Sequence, residues 1–366
     1  MNKNSISILI TASSLGGYIP GLIVSRQLEE KGFNTEVFIL ENLLKKEKKD
    51  KILTAKIVYH KNFSAALMGQ KIVNGMENTL DDLLIDELIH KWKEEKRKRF
   101  IVFSGFWSDI ISKYINEVGE EELTVDLCHV DASVSTSWKA HKNDLNSFRH
   151  IWFYNLEEKK VSYYLQLNNH EPVLFSERKK RLLLHGGGWG LGTYLTKVGE
   201  LENAGFSLDV ICIEKDDAKN KSKNIRYYLI DPLWKAWEPN ENGEYIFPPF
   251  GEITDNENVL YKSNYDYPDV YDICRESLAI ISKPGGATLI DSLSSATPII
   301  TLEPYGNYEN SNALLWEQLG FGIPFKKWAE SSFSIELLEK MNKNLLQARK
   351  NINNYIPEIY ATKNIS

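Results

Sequence analysis

The residues Ile281-Ser282-Lys283-Pro284-Gly285-Gly286-Ala287-Thr288-Leu289-Ile290-Asp291 lead from an apolar segment through a glycine turn into a helical pattern that carries a carboxylate. Such a segment can hold a phosphate. Glycines lack a Cβ and let backbone N–H groups approach an anion, and a helix starting near Ala287 directs roughly half a unit of positive charge at it. Asp291 then stands where a carboxylate accepts hydrogen bonds from ribose hydroxyls, as acidic residues do in other nucleotide sites. A Gly-Gly pair also serves as an ordinary strand-to-helix turn, and Lys283 is either a partner for the anion or a solvated residue before the turn. A second cluster, Gly186-Gly187-Gly188-Trp189-Gly190, follows the apolar run Arg181-Leu182-Leu183-Leu184-His185. Its Trp189 either packs over the loop or stacks on a ligand. In the first half of the chain, His129 and Asp131 are two positions apart, so in a continuing strand they share a face. A His beside a carboxylate is a candidate general base; the other reading is a polar strand end bonded to neighbouring loops. Phe106 and Trp107 in Ser104-Gly105-Phe106-Trp107-Ser108 are placed to stack on a ring or to pack under a helix.

The elements that must position these residues read as alternating strands and helices. Ser5 to Ile10 forms a strand, Leu15-Gly16-Gly17-Tyr18-Ile19-Pro20-Gly21-Leu22 turns the chain, Ile23 to Lys31 forms a helix closed by Gly32, and Thr35 to Leu40 gives a second strand. The glycine loop thus falls at the carboxyl end of a strand, where open parallel sheets bind ligands. A helix from about Glu77 to Lys96, a strand over Phe100 to Phe103, a helix near Ile110 to Val118 and a strand over Leu123 to His129 continue the alternation. That order predicts a parallel α/β sheet. The polar stretch Gln166 to Lys180 reads as a linker, and βα repeats resume at Arg181. Both halves begin as strand, glycine loop, helix, strand. The expected fold class is therefore α/β, with two doubly wound Rossmann-like domains facing a cleft. The first covers 1–165 and the linker 166–180; the second covers 181–350, and a tail or helix over 351–366 is able to return to the first domain. Asp231 to Glu252, rich in Pro and Trp, reads as a loop-rich insertion.

Composition sets outer bounds. A chain of 366 residues, 42% apolar and 26% charged, suffices for two globular domains with their own cores. No apolar run approaches the roughly 18 to 20 residues of a membrane span, and Met1-Asn2-Lys3-Asn4-Ser5 leads into a strand without the apolar core of a secretory signal. Cys128, Cys212 and Cys274 are unclustered, which suits a reduced cytoplasmic protein without a cysteine-based metal site. The net charge of −6 argues against nucleic acid as a partner. For Lys45-Lys46-Glu47-Lys48-Lys49-Asp50-Lys51, peripheral contact with anionic lipid is one reading and a solvated loop or helix face the favoured one.

Beyond Asp291 come the strand Pro298-Ile299-Ile300-Thr301-Leu302, then Glu303-Pro304-Tyr305-Gly306 and the helix start Asn307-Tyr308-Glu309-Asn310-Ser311-Asn312-Ala313. This succession resembles the C-terminal signature of the GT-B glycosyltransferases, in the UDP-glycosyltransferase branch that contains the lipid II-forming N-acetylglucosaminyltransferase. The resemblance implies that Gly285, Gly286 and Ala287, with Lys283, hold the diphosphate of a UDP-sugar and that Asp291 holds the ribose. Tyr308, Glu309 and Asn312 lie on the sugar side. Gly186, Gly187 and Gly188 face the cleft, and Tyr267 sits beside the pyrimidine base. Relatives usually carry Gln or Asp-Gln at the Tyr308-Glu309 pair; an anion at Glu309 disfavours uronic acids and so argues for a neutral sugar. The loop Gly16-Gly17-Tyr18, with Phe106 and Trp107, walls the acceptor. Relatives often carry a His in that first loop, where this chain has Gly17 or Tyr18, so the base is expected to be His129, with Asp131 orienting it or acting in its place. The implied reaction is inverting sugar transfer from a UDP-sugar to a small-molecule or lipid acceptor with no metal or other cofactor required. A sugar-nucleotide hydrolase, a 2-epimerase and a catalytically silent glycosyltransferase partner are the rival readings.

Overall fold

The computed structural model describes residues 5–13, 15–72, 79–140, 145, 147–220, 222–254, 256 and 258–356. Its first sheet consists of β1 (Ile6–Ile10), β2 (Thr35–Ile39), β3 (Arg99–Val102), β4 (Thr124–His129) and β5 (Arg149–Trp152), in the order β2-β1-β3-β4-β5 and parallel throughout. All of Ile6 to Ile10 are buried. Helices cover both faces of such a sheet, which is why its central strands are largely buried and mostly apolar, with Ser7 and Asp126 as buried polar exceptions. The second sheet contains β6 (Arg181–His185), β7 (Ser207–Cys212), β8 (Ile225–Ile230), β9 (Phe250–Glu252), β10 (Ala279–Ser282), β11 (Ile299–Thr301) and β12 (Gly322–Pro324). Its order is β9-β8-β7-β6-β10-β11-β12, parallel except for the edge strand β9.

In each sheet the chain winds outward from one strand and then restarts on that strand's other side. The reversal falls between β1 and β3 in the first sheet and between β6 and β10 in the second. Loops at the carboxyl ends of strands flanking such a reversal diverge and leave a crevice. The glycine segments after β1, β6 and β10 all lie at these reversals, so topology alone brings them to the cleft.

Several boundaries differ from the sequence reading. The helix expected to begin at Ile23 runs Leu15–Glu30, so Gly16, Gly17 and Tyr18 belong to its first turn and not to a preceding loop. Pro20 lies inside this helix, where it costs one hydrogen bond to the preceding turn. Close contact explains why the segment holds: a Cβ on Gly21 would sit 2.2 Å from Ile10 Cγ2, so the helix rests directly on β1. The helix expected over 77–96 runs Asp82–Glu94, with the Asp81 carboxylate capping Leu83 N–H at 3.0 Å; positions 77 and 78 lie outside the described residues. The lysine-rich run 45–51 leads into the helix Lys46–Lys61.

The chain passes between the sheets through a segment that is anchored rather than loose. Leu165 and Leu167 are buried, and the buried Arg178 donates to the carbonyls of Ser277, Ser295 and Ala296 and to Thr297 Oγ1. A second passage returns at the far end: Asn353–Asn354 pairs with Tyr163–Tyr164, and the buried Tyr355 places its hydroxyl 3.3 Å from Cys128 Sγ. Of the tail 351–366, positions 357–366 lie outside the described residues.

Candidate active site

The cleft between the two sheets encloses a cavity of about 370 Å³, with Asp131 and Phe106 on one wall and Lys283, Gly285 and Gly286 on the other. On the second-domain side, β10 delivers the chain into the helix Gly286–Ser295. Gly285 is its N-cap and no side chain caps it, so the N–H groups of Gly286, Ala287 and Thr288 have no partner within the helix. These residues line the cavity. Lys283 is neither solvated nor free: its ammonium is paired with Glu309 Oε1, and Glu309 Oε2 accepts from Tyr305 N–H at 2.7 Å. A Cβ on Gly285 would be 3.2 Å from both charged atoms, so the pair lies directly over the turn. Glu309, expected to read sugar hydroxyls, is occupied by Lys283 and Tyr305 here. Tyr308 lines the cavity beside it.

The loop after β6 doubles back on itself. A Cβ on Gly186 would lie 2.4 Å from the Gly190 carbonyl carbon, and Gly187 and Gly190 have φ of +68° and +60°, which only glycine adopts without strain. Gly188 has Leu15 of the first domain against it, 2.3 Å from where a Cβ would be. The helix Lys46–Lys61 also reaches this loop. His60 contacts the Gly190 carbonyl through Nδ1 at 2.7 Å and the Asp217 carboxylate through Nε2 at 3.0 Å, while Tyr59 stacks on Trp189. Trp189 therefore packs on a ring of the other domain.

Asp291 opens into an adjoining apolar pocket of about 90 Å³ that includes Ile211, Phe250 and Val270, and from the first domain Leu15 and Ile19. Its carboxyl has no partner among the described residues, and burial pushes its pKa up to about 7. Tyr267 is not part of this lining; its hydroxyl lies 3.4 Å from the Asp272 carboxylate and its ring meets Tyr271 edge-on, while its neighbours Pro268 and Asp269 form the wall.

On the first-domain side, His129 and Asp131 both line the cavity, yet they are not the hydrogen-bonded pair the sequence suggested. His129 Nε2 faces His150 Nδ1 at 2.9 Å, and its ring is stacked on Trp152 and tilted against Trp138. Burial, reinforced by His150, pushes its pKa down to about 3, and Nδ1 has no partner. Such a ring is a weak base. Asp131 instead binds Asn312: Asn312 Nδ2 donates to Asp131 Oδ1 and to the Pro284 carbonyl, both at 2.8 Å, and Asn312 Oδ1 accepts from Ala132 N–H at 2.6 Å. Those bonds use both amide hydrogens and one of the oxygen's two lone pairs, so Asn312 links the two domains. A Cβ on Gly286 would lie 2.6 Å from the Val130 carbonyl and 3.2 Å from Asp131 Oδ1. Burial raises the Asp131 pKa to about 6, even though the Asn312 bond opposes the shift.

Two expected acceptor-wall residues are core residues. Trp107 is fully buried and donates from Nε1 to the Ile10 carbonyl at 3.0 Å; Tyr18 is fully buried and donates to the Ile246 carbonyl of the other domain at 2.9 Å. Gly16, Gly17 and Phe106 do line the cavity. A residue the sequence reading passed over is Glu41, just after β2: its fully buried carboxylate accepts from Ala12 N–H and Ser13 N–H, both at 2.7 Å, and fixes the loop after β1. Its position at the carboxyl end of a predicted strand was the available signal.

With this geometry in view, known proteins can be compared. The structure of the spinosyn rhamnosyltransferase SpnG superposes with a TM-score of 0.57 at 9% identity, covering 99% of this chain and all of that one (100%). SsfS6, a glycosyltransferase of Streptomyces sp. SF2575, gives 0.56 at 12% identity over 98% and 99% of the two chains. MurG of Acinetobacter baumannii gives 0.52 at 12% identity over 96% and 97%. The architecture is the GT-B fold. No protein-family model matches the chain. In sequence, the processive diacylglycerol β-glucosyltransferase of Bacillus cereus is 29% identical over 107 residues, which is 27% of this chain and 28% of that protein. That of Bacillus licheniformis is 32% identical over 81 residues, 22% and 21% of the two. The chain thus spans about a quarter of the length of these relatives. Within the GT-B frame, the cavity lies at the interdomain cleft, with the Gly285-Gly286 turn on the second domain and Asp131 on the first. Among the described residues no helix is long and apolar enough to cross a membrane.

Proposed function

We propose that this chain is a glycosyltransferase that moves a sugar from a nucleotide-diphosphate sugar, foremost a UDP-sugar, to a hydroxyl of a lipid or small-molecule acceptor. One observation carries the reading: an uncapped helix N-terminus on one domain faces a carboxyl of raised pKa on the other across a single cavity. The diphosphate sits on the amides of Gly286, Ala287 and Thr288, with Gly285 admitting it and Lys283 beside it. Asp291 accepts from the ribose hydroxyls, and Tyr308 and Glu309 flank the sugar. Asp131, acting in place of His129, takes the acceptor hydroxyl proton. The acceptor oxygen bonds to the anomeric carbon as the bond from that carbon to the diphosphate oxygen breaks, which inverts the configuration. Nucleotide diphosphate leaves with its charge stabilised by oriented amides, and no metal ion is assigned a part. The diacylglycerol acceptors named for the sequence relatives support a lipid acceptor. A cytoplasmic enzyme suits the free, buried Cys128, Cys212 and Cys274, and reaching a lipid would require peripheral membrane contact.

The test is a calorimetric titration with UDP, TDP and CDP, followed by turnover assays with the matching sugar donors and an acceptor panel that includes diacylglycerol. The expected result is binding of one nucleotide diphosphate and acceptor-dependent release of it. Release at full rate without any acceptor would mark a hydrolase, and binding without turnover by any acceptor would mark a silent partner.

A further inference from the structure

His185 closes β6 at the point where the second domain's glycine loop begins. Its Nδ1 accepts a hydrogen bond from Gly187 N–H at 3.1 Å, with Ser282 Oγ at 3.5 Å. A backbone N–H can only donate, so Nδ1 carries no proton and the neutral ring holds its proton on Nε2. Burial, assisted by the Lys283 charge, pushes the His185 pKa down to about 4, so the ring is neutral at physiological pH. Nε2–H has no acceptor among the described residues, and the ring lines the pocket shared by Asp291, Gly187 and Thr288. His185 is only partly buried, and its Nε2–H is open to the pocket, where it can donate to an acceptor that a ligand supplies.

We infer that His185 is a donor-binding residue, its Nε2–H donating to a phosphate oxygen of the nucleotide diphosphate. This rests on the donor site proposed above. The assignment divides the work by chemistry: Asp291 can only accept from hydroxyls when ionised, whereas an acceptor-only phosphate oxygen needs N–H groups. Gly187, held by the same imidazole, has the Lys283 side chain within 3.8 Å of where its Cβ would be. His185 is thus both a direct contact and the brace of the loop facing the diphosphate.

The two roles separate by substitution. His185→Asn keeps an oxygen able to accept from Gly187 N–H but removes the distal donor; His185→Gln restores a donor at greater reach. Calorimetry with UDP and with uridine, alongside thermal melting, reads the outcome. His185→Asn is expected to weaken UDP about tenfold or more, the worth of a hydrogen bond to a charged acceptor. Uridine affinity and melting temperature should stay near the parent's, and His185→Gln should recover part of the UDP loss. Unchanged UDP affinity in His185→Asn, while the parent binds UDP, overturns the inference alone. Equal loss for UDP and uridine overturns it as well, since the contact would then be to the nucleoside or the effect merely structural. Where TDP or CDP is the nucleotide bound, it and its nucleoside take the place of UDP and uridine, and a parent that binds none of the three nucleotide diphosphates overturns the donor site and this inference together.

Discussion

Asn312 of the second domain hydrogen-bonds Asp131 of the first, Nδ2 to Oδ1 at 2.8 Å. The same amide holds Pro284 O and Ala132 N–H, so one side chain links the Gly285-Gly286 turn, the opposite cleft wall and the proposed base. It fixes the carboxyl and also favours its ionised form.

Asn312→Ala should therefore act on stability and on protonation together. Ala132 N–H and the Pro284 carbonyl lose their partner, at about 1 to 3 kcal/mol for each group that water cannot reach. Urea unfolding is expected to show a loss of about 2 to 4 kcal/mol. The Asp131 pKa should rise further above about 6, seen as an upward shift of the acid limb in the pH dependence of turnover.

In the parent enzyme, kcat/KM should fall as pH drops below about 6, because protonated Asp131 cannot accept the acceptor's proton. Asp131→Asn is expected to slow turnover about 10²- to 10⁴-fold and to flatten that limb, with UDP affinity nearly intact. His129→Gln should leave the limb in place. A limb that moves with His129 and not with Asp131 would return the base to the histidine.

Asp131 and Asp291 have folded-state pKa values raised to about 6 and about 7. The protonated forms are the ones the fold prefers. Their contribution is fully present below the ordinary carboxyl pKa of about 4 and is lost as pH rises through 6 and 7. Asp291→Asn should thus melt higher than the parent, with an advantage that grows between pH 5 and pH 8. Ribose hydroxyls favour the ionised carboxylate, so the parent's affinity for uridine, which carries no phosphate, should weaken as pH falls below about 7. The Asn variant should show no such dependence.

The Lys283–Glu309 pair makes a further prediction. Glu309→Gln removes the counter-charge from the ammonium over Gly285, and UDP should bind roughly tenfold tighter, as one added charge-assisted hydrogen bond allows. Lys283→Met leaves Glu309 buried and uncompensated, at about 3 to 5 kcal/mol of stability; adding Glu309→Gln to it should recover most of that loss. A double-mutant cycle by urea unfolding, together with UDP titrations, measures both.

The geometry of the glycine turn on the second domain was legible in the chain because its signals are local. A glycine turn between an apolar strand and a helix start, as at Ser282 to Ala287, fixes its own geometry, and strand order then carries it to the cleft. What stayed hidden depends on contacts between distant residues. Tyr18 and Trp107 look like loop aromatics, yet each finds a carbonyl partner in the interior. The helix Leu15–Glu30 is buried on nearly every side, so it shows no apolar stripe to mark its start, and Pro20 with two preceding glycines reads as a break. The lysine run before Tyr59 and His60 gives no hint that the helix ends against the other domain's glycine loop. His129 and Asp131 keep their place at the strand end, but which of them holds a useful pKa is decided by Trp138, Trp152, His150 and Asn312, none adjacent in sequence.

Leu15 and Ile19 belong to the first domain yet wall the pocket beside Asp291, and Leu15 presses on Gly188. Whatever occupies this pocket therefore touches both domains at once. A ligand there would act as a clasp that raises the cost of separating the halves, and an inhibitor shaped to the pocket would draw its affinity from both.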